Sequence, residues 1–529
     1  MIHKALYFAL ALNAVLFNGC GSSSQSEDGI QNPTPPQLPP LTGENTEAKQ
    51  LHELEKFTDN QANCEKSTVD ASSEFTVESF VNGLEREETK AIADLSSTNG
   101  LQTKYVSVIT YSKKQESEET ADFDPITRTL INFKRKETNT NQEPKALKLC
   151  NPSDILANSI ERQAVSALSH VNQAAEFYDN LGLKKMPPVT LNVLPEHKIN
   201  LHVSNALEFT DIGVYENLIY FEGDNATYSR DSELRPQITI LPRVKEKGEF
   251  RSEKLWLSPY VMAHEYGHHI FQIIAIDSLP SNIQESLAHK HIMNTGKPAL
   301  EFIKTNEETT PSTFKHKRQN HANYSGISGF TESQVEQLGH SISALNEGFS
   351  DSFAYYANQE AKGLSQGYSG LETSRDVESA QLEDGSYKKL DFFAINGLLK
   401  QRDYSAYKDS HIVGAVFAYG FDQALNLEGD LNSEEKVNLL VTWLSRLSER
   451  FEIIENARFS LSINYDETIL LKTGLNEFLK ILDGRDSQLS IKQCNLVKEV
   501  FPALASLSDN RLVVGEQNIY PEGEFECQD

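Results

Sequence analysis

The sequence predicts an α+β fold: a small β-rich region first, a mixed α/β region next and a mainly helical region last. Three observations carry this. Tyr105–Tyr111 is β-branched and aromatic, and Arg128–Lys134 alternates polar with apolar, so both read as strands. Short apolar runs at Val189–Val193, Leu218–Phe221 and Ile238–Leu241 read as further strands. After His411 apolar residues recur at helical steps, with Val437, Leu440, Val441 and Leu444 on one face and Leu475, Phe478 and Leu479 on a later helix.

At 529 residues the chain exceeds one ordinary domain. Lys4 followed by the apolar run Ala5–Phe17 reads as an export signal, too short for a permanent span. With Cys20 after Gly19, it resembles a bacterial lipoprotein signal, which implies cleavage at residues 1–19 and a lipid on Cys20. The alternative is an ordinary signal peptide with an unmodified cysteine. Either way the protein is expected to be exported. With the lipid it would be anchored to a bacterial membrane, the outer one being favoured, and periplasmic or surface-exposed. Residues 20–50, rich in Ser and Pro, read as a disordered tether. Residues 51–150 form the expected β-rich domain, 151–276 a mixed lobe, 277–340 a polar insertion and 341–529 a helical lobe.

Acidic residues dominate, giving a net charge of −27, which argues against a nucleic-acid partner because phosphate binding needs clustered Lys and Arg. If Cys20 carries lipid, Cys64, Cys150, Cys494 and Cys527 remain, an even number that suggests two disulfides in an oxidising compartment. Three pairings are possible; Cys64–Cys150 with Cys494–Cys527 is favoured because each would close one candidate domain.

The chemistry centres on His264-Glu265-Tyr266-Gly267-His268. Histidines four apart on a helix share a face, so both imidazoles can reach one Zn²⁺ at about 2.0–2.1 Å. Glu265 is placed to take a proton from a metal-activated water. Apolar Leu257, Val261, Ile270 and Phe271 argue that this helix is buried rather than a solvated face carrying incidental histidines. A catalytic zinc needs a third ligand and an open position. Glu347, in Ala344-Leu345-Asn346-Glu347-Gly348-Phe349-Ser350-Asp351, is the candidate, with Asp351 one turn on to fix the tautomer of a ligating histidine.

An H-E-x-x-H helix followed by an A-L-N-E-x-x-S-D helix resembles the thermolysin-like metallopeptidases and the secreted fungal gluzincins. The resemblance covers roughly 155–510 in patches. It implies Zn²⁺ held by His264, His268 and Glu347, Glu265 as general base, and Asp351 and Asn346 supporting the ligands. It implies that His411, in Ser410-His411-Ile412-Val413-Gly414, stabilises an oxyanion, and that Arg375 is a further donor to substrate. Asn217 and Leu218 resemble the start of an edge strand that pairs with an extended peptide, although an ordinary core strand fits them equally. The implied architecture is a two-lobed gluzincin with a mixed α/β N-lobe and a helical C-lobe. The implied function is a zinc endopeptidase acting as a monomer on protein or peptide substrates. The alternatives are an inactive surface lipoprotein using the fold to bind a partner, and a zinc hydrolase of a non-protein substrate.

One departure from thermolysin is clear: 79 positions separate His268 from Glu347. The insertion between them holds His289, His291, His316, His321 and His340, which offer a second metal site as an alternative.

Overall fold

The computed structural model describes residues 52–53, 69–81, 84–96, 100–110, 115–123, 130–137, 145–149, 152, 155, 159–193, 197–204, 217–222, 226–230, 235–240, 244–246, 249–251, 255–279, 332–359, 375–381, 387–391, 406–461, 468–483, 490–505, 513–514 and 517–518. The signal segment with Cys20, the tether, Cys64, Cys150 and Cys527 lie outside them, as do the side chains of all five histidines of the insertion.

The first strands are β1 (His52–Glu53), β2 (Glu74–Val81), β3 (Leu84–Ala91), β4 (Val106–Thr110), β5 (Gln115–Phe123), β6 (Leu130–Glu137) and β7 (Lys145–Ala146). Helix α1 (Ile160–Asn180) leads to β8 (Val189–Val193), β9 (His197–Ser204), β10 (Asn217–Glu222), β11 (Ala226–Arg230), β12 (Pro236–Ile240), β13 (Val244–Glu246) and β14 (Glu249–Arg251). Helices follow: α2 (Pro259–Phe271), running into a π-helical turn (Gln272–Ile276), α3 (Glu332–Asn358), α4 (Ala406–Leu427), α5 (Ser433–Leu461), α6 (Thr468–Asp483), α7 (Ile491–Val500) and α8 (Pro502–Ala505). A last small ribbon pairs β15 (Val513–Val514) with β16 (Gln517–Asn518).

A five-stranded sheet of order β11-β12-β8-β4-β7 backs the site. Its centre is parallel: β4 runs beside β8 from Val106↔Val189 to Thr110↔Val193, and β12 runs beside β8. Strands β11 and β7 are antiparallel at its two edges. The central strands are rich in β-branched residues, and Val106, Val108, Val189, Leu191, Ile238 and Ile240 are buried. A second sheet has the order β10-β9-β5-β6. Both sheets combine strands from before and after residue 150. The boundary expected there therefore does not separate a β-rich domain from a mixed lobe; β4 and β5 need β8 and β9 as parallel neighbours. Parallel partners lie far apart in the chain, so local alternation cannot reveal them.

Helix α1 starts where the Ser159 side chain accepts from Arg162 N, and its chain exit has Gly182 at φ +70°, a conformation that glycine adopts without strain. Ala164, Leu168, Val171, Ala175 and Tyr178, recurring at steps of three and four, form its core face. Helix α2 is capped by Ser258, which accepts from Val261 N, with Pro259 in its first turn. Every residue from Tyr260 to Phe271 is buried. It packs against α1, against β11 and along α3.

Helix α3 begins at Glu332, inside the stretch read as an insertion, so the last nine residues of 277–340 belong to the helix that carries Glu347. Two glycines set how closely the helices meet. A Cβ on Gly267 would stand 2.8 Å from Ser350 Cα, and one on Gly414 would stand 2.5 Å from Glu347 Cβ. Both lie below ordinary contact, so α2 and α4 approach α3 at backbone distance. Behind them the helical region shares an aromatic core, with Phe421 4.2 Å from Phe478 and 4.8 Å from Trp443 between ring centroids. Each such buried side chain contributes on the order of 1.5–3 kcal/mol. Among the described residues no helix is long and apolar enough to cross a membrane.

Candidate metal centre

Helix α2 presents His264 and His268 one turn apart, with ring centroids 4.5 Å apart and planes at 84°. Helix α3 presents Glu347 opposite them. His264 Nε2 is 3.3 Å from Glu347 Oε2, and His268 Nε2 is 3.7 Å from Glu347 Oε1. One ligand atom from each of the three residues falls within 4.8 Å of the others. All three are buried, at 0%, 5% and 4% exposure. Two Nε2 atoms and a carboxylate oxygen converging at this spacing are the donor set that Zn²⁺ takes, and the residues therefore fit that ion.

The Nδ1 sides of the rings have partners of their own. His264 Nδ1 is 2.9 Å from Asp351 Oδ1, and Ser350 Oγ is 3.0 Å from His268 Nδ1. Consecutive residues of α3 thus each take one imidazole. With its proton on Nδ1, each ring would turn an Nε2 lone pair toward Glu347, the tautomer a metal ligand needs. Tyr260 donates to the backbone carbonyl of Asp351 and ties α2 to α3 beside this contact.

Arg375, from the segment between α3 and α4, is buried in the same place. Its Nε donates to Asp351 Oδ2 at 3.1 Å, and its Nη2 to Asp351 Oδ1 at 2.7 Å and Glu347 Oε2 at 3.1 Å. The same Nη2 lies 3.3 Å from His264 Nε2. Arg375 thus faces Glu347 and Asp351 directly, a place that the expected contact with substrate did not include. His411, at the start of the buried stretch of α4, puts Nε2 3.4 Å from Glu347 Oε2.

The electrostatics follow from burial and charge. Burial opposes ionisation of Glu347, but the adjacent His411 and His264 outweigh it and hold its carboxyl well below the usual range. Asp351 is likewise lowered against its burial, chiefly by Arg375 and His264. Burial pushes His268 down to about 3, which keeps it neutral. For His264, burial and Arg375 push down, while Asp351 and Glu347 push up and prevail, giving about 9. The carboxylates make His264 the more basic imidazole.

The other expected residues fall as follows. Glu265 is fully buried on α2 beside His264. Asn346 is buried near His268. Asn217 and Leu218 open β10, an edge of the four-stranded sheet. The edge strand that packs on α2 is instead β11, where Tyr228 OH is 3.3 Å from His269 Nδ1 and Arg230 pairs with Asp277. Sequence reasoning missed β11, whose Ala226-Thr227-Tyr228-Ser229-Arg230 has no apolar run, and it missed Ser350, a common residue in a helix.

Compared with protein families, with curated proteins and with solved structures, the chain matches none.

Proposed function

We propose that the protein is a zinc-dependent endopeptidase of gluzincin type, exported and held to a bacterial membrane through Cys20. The observation that supports it most is the buried convergence of His264, His268 and Glu347 from two helices, with Asp351 and Ser350 behind the imidazoles. Glu347 and Asp351 share the single charge of Arg375 in this dry place, and a divalent cation would add positive charge beside Glu347.

Bound there, zinc would act as a Lewis acid on a carbonyl and make water a nucleophile near neutral pH. Glu265 would accept the proton from the attacking water and pass it to the leaving amine. His411, one carboxylate away from the ligands, would donate to the oxygen that becomes negative. Asp351 would keep the His264 ring in its ligating tautomer, and Arg375 would keep Asp351 ionised. Among the described residues β11 offers a sheet edge beside α2, and an extended peptide would add to it through backbone hydrogen bonds. We prefer it to Asn217 and Leu218, which stand in the other sheet.

The test is cleavage of casein or a peptide library by the full chain, with and without a chelator. Glu265→Gln is expected to keep its metal and lose turnover. Wild-type turnover in that variant would rule out this mechanism.

A further inference from the structure

Resting on the metal-centre reading above, we propose that Ser350 is the positioning residue for His268: its hydroxyl accepts the Nδ1 proton and so aims Nε2 at the metal position. The contact is 3.0 Å between two buried side chains, with Ser350 at 0% exposure. Only the tautomer with its proton on Nδ1 leaves a lone pair on the nitrogen that faces Glu347 Oε1. A hydroxyl that donated instead would put the proton on Nε2 and block ligation.

The backbone explains how the contact forms. Gly267 precedes His268, and a Cβ there would meet Ser350 Cα at 2.8 Å and Ser350 Oγ at 3.1 Å. Without a side chain at 267, α3 presses onto α2 until the hydroxyl reaches the ring. Asn346, the sequence-based candidate for this support, also acts on His268 through its side chain, raising its pKa. Its Oδ1, however, has no partner within hydrogen-bond distance among the described residues, whereas Ser350 Oγ meets Nδ1 at 3.0 Å. A neutral partner also suits the charge balance. Glu347 and Asp351 already share Arg375 and Glu265 is buried beside them, so a further carboxylate in this dry site would need another cation.

The two imidazoles are therefore held unequally, His264 by a carboxylate and His268 by a hydroxyl. Both partners are consecutive on α3, so one helix register sets both tautomers.

The test uses the full chain, with histidine ring ¹⁵N shifts read on metal-free protein and zinc affinity read by chelator competition. In the wild type, His268 is expected as the Nδ1–H tautomer. Ser350→Ala is expected to shift His268 toward Nε2–H and to weaken zinc binding by about 10-fold to 100-fold. Asn346→Ala is expected to leave the tautomer unchanged. A wild-type His268 already in the Nε2–H form would overturn the proposal without any variant. So would an unchanged tautomer in Ser350→Ala, or a shift caused by Asn346→Ala in its place. A wild type that binds no zinc at all would sink the metal-centre reading, whereas the metal-free tautomer bears on Ser350 alone.

Discussion

His264 and Asp351 face each other across α2 and α3 with Nδ1 and Oδ1 2.9 Å apart, at 0% exposure on both sides. The carboxylate accepts the ring proton and raises the basicity of the opposite nitrogen. Asp351→Asn keeps the shape and removes the charge. We expect that variant to fold and to bind zinc about 10-fold to 100-fold more weakly, measured by competition with a chelator of known affinity. Unaltered affinity would mean that Asp351 does not act through the ring.

Arg375 is the countercharge of the metal-free centre. It meets both Asp351 and Glu347, and removing one member of a buried ionic set leaves the others uncompensated. Arg375→Met is expected to destabilise the metal-free protein by about 3–5 kcal/mol, seen as a lower urea midpoint. Added zinc is expected to recover part of the loss, because it supplies positive charge beside Glu347.

Gly414 is where α4 touches the helix that carries Glu347. Its missing Cβ would fall 2.5 Å from Glu347 Cβ and 3.0 Å from Ala344 O. Gly414→Ala therefore has to push α4 away or tilt Glu347. The expected cost is about 1–3 kcal/mol, read as a lowered melting temperature, and zinc affinity is expected to fall with it.

His170 on α1 gives a pH dependence independent of the metal. Its Nε2 lies 2.9 Å from the Glu78 carbonyl oxygen, and burial pushes its pKa down to about 3. The unfolded chain binds that proton near 6.5. The folded value is depressed, so the stabilisation is fully present above about pH 6.5 and is lost as pH falls toward 3. Between those limits the slope contributed by this one group is about 1.4 kcal/mol per pH unit. Denaturant midpoints at several pH values should show a smaller acid loss in His170→Gln than in the wild type. Equal losses would assign the acid sensitivity to other groups.

The readable part of this protein was the part written locally. Histidines four apart amid Val261, Ile270 and Phe271 place α2 and its ligand face, and Leu345, Phe349 and Phe353 announce a buried helix around Glu347. The strand at Val189–Val193 was legible because its β-branched run needs no partner to be recognised. Its pairing with Val106–Thr110 was not, because the two are joined through α1 and no local signal specifies a parallel neighbour. Ser350 escaped notice because only the meeting of α2 with α3 at Gly267 gives its hydroxyl a purpose. Arg375 was found in sequence but was expected to face substrate, since nothing near it in the chain says that it folds back onto Asp351.

The most direct test of the account is elemental analysis of the full chain purified without added metal. About one zinc per chain is expected in the wild type, and none in His264→Ala or Glu347→Ala. A wild-type protein that carries no zinc, and takes up none when zinc is supplied, would contradict the account at its centre.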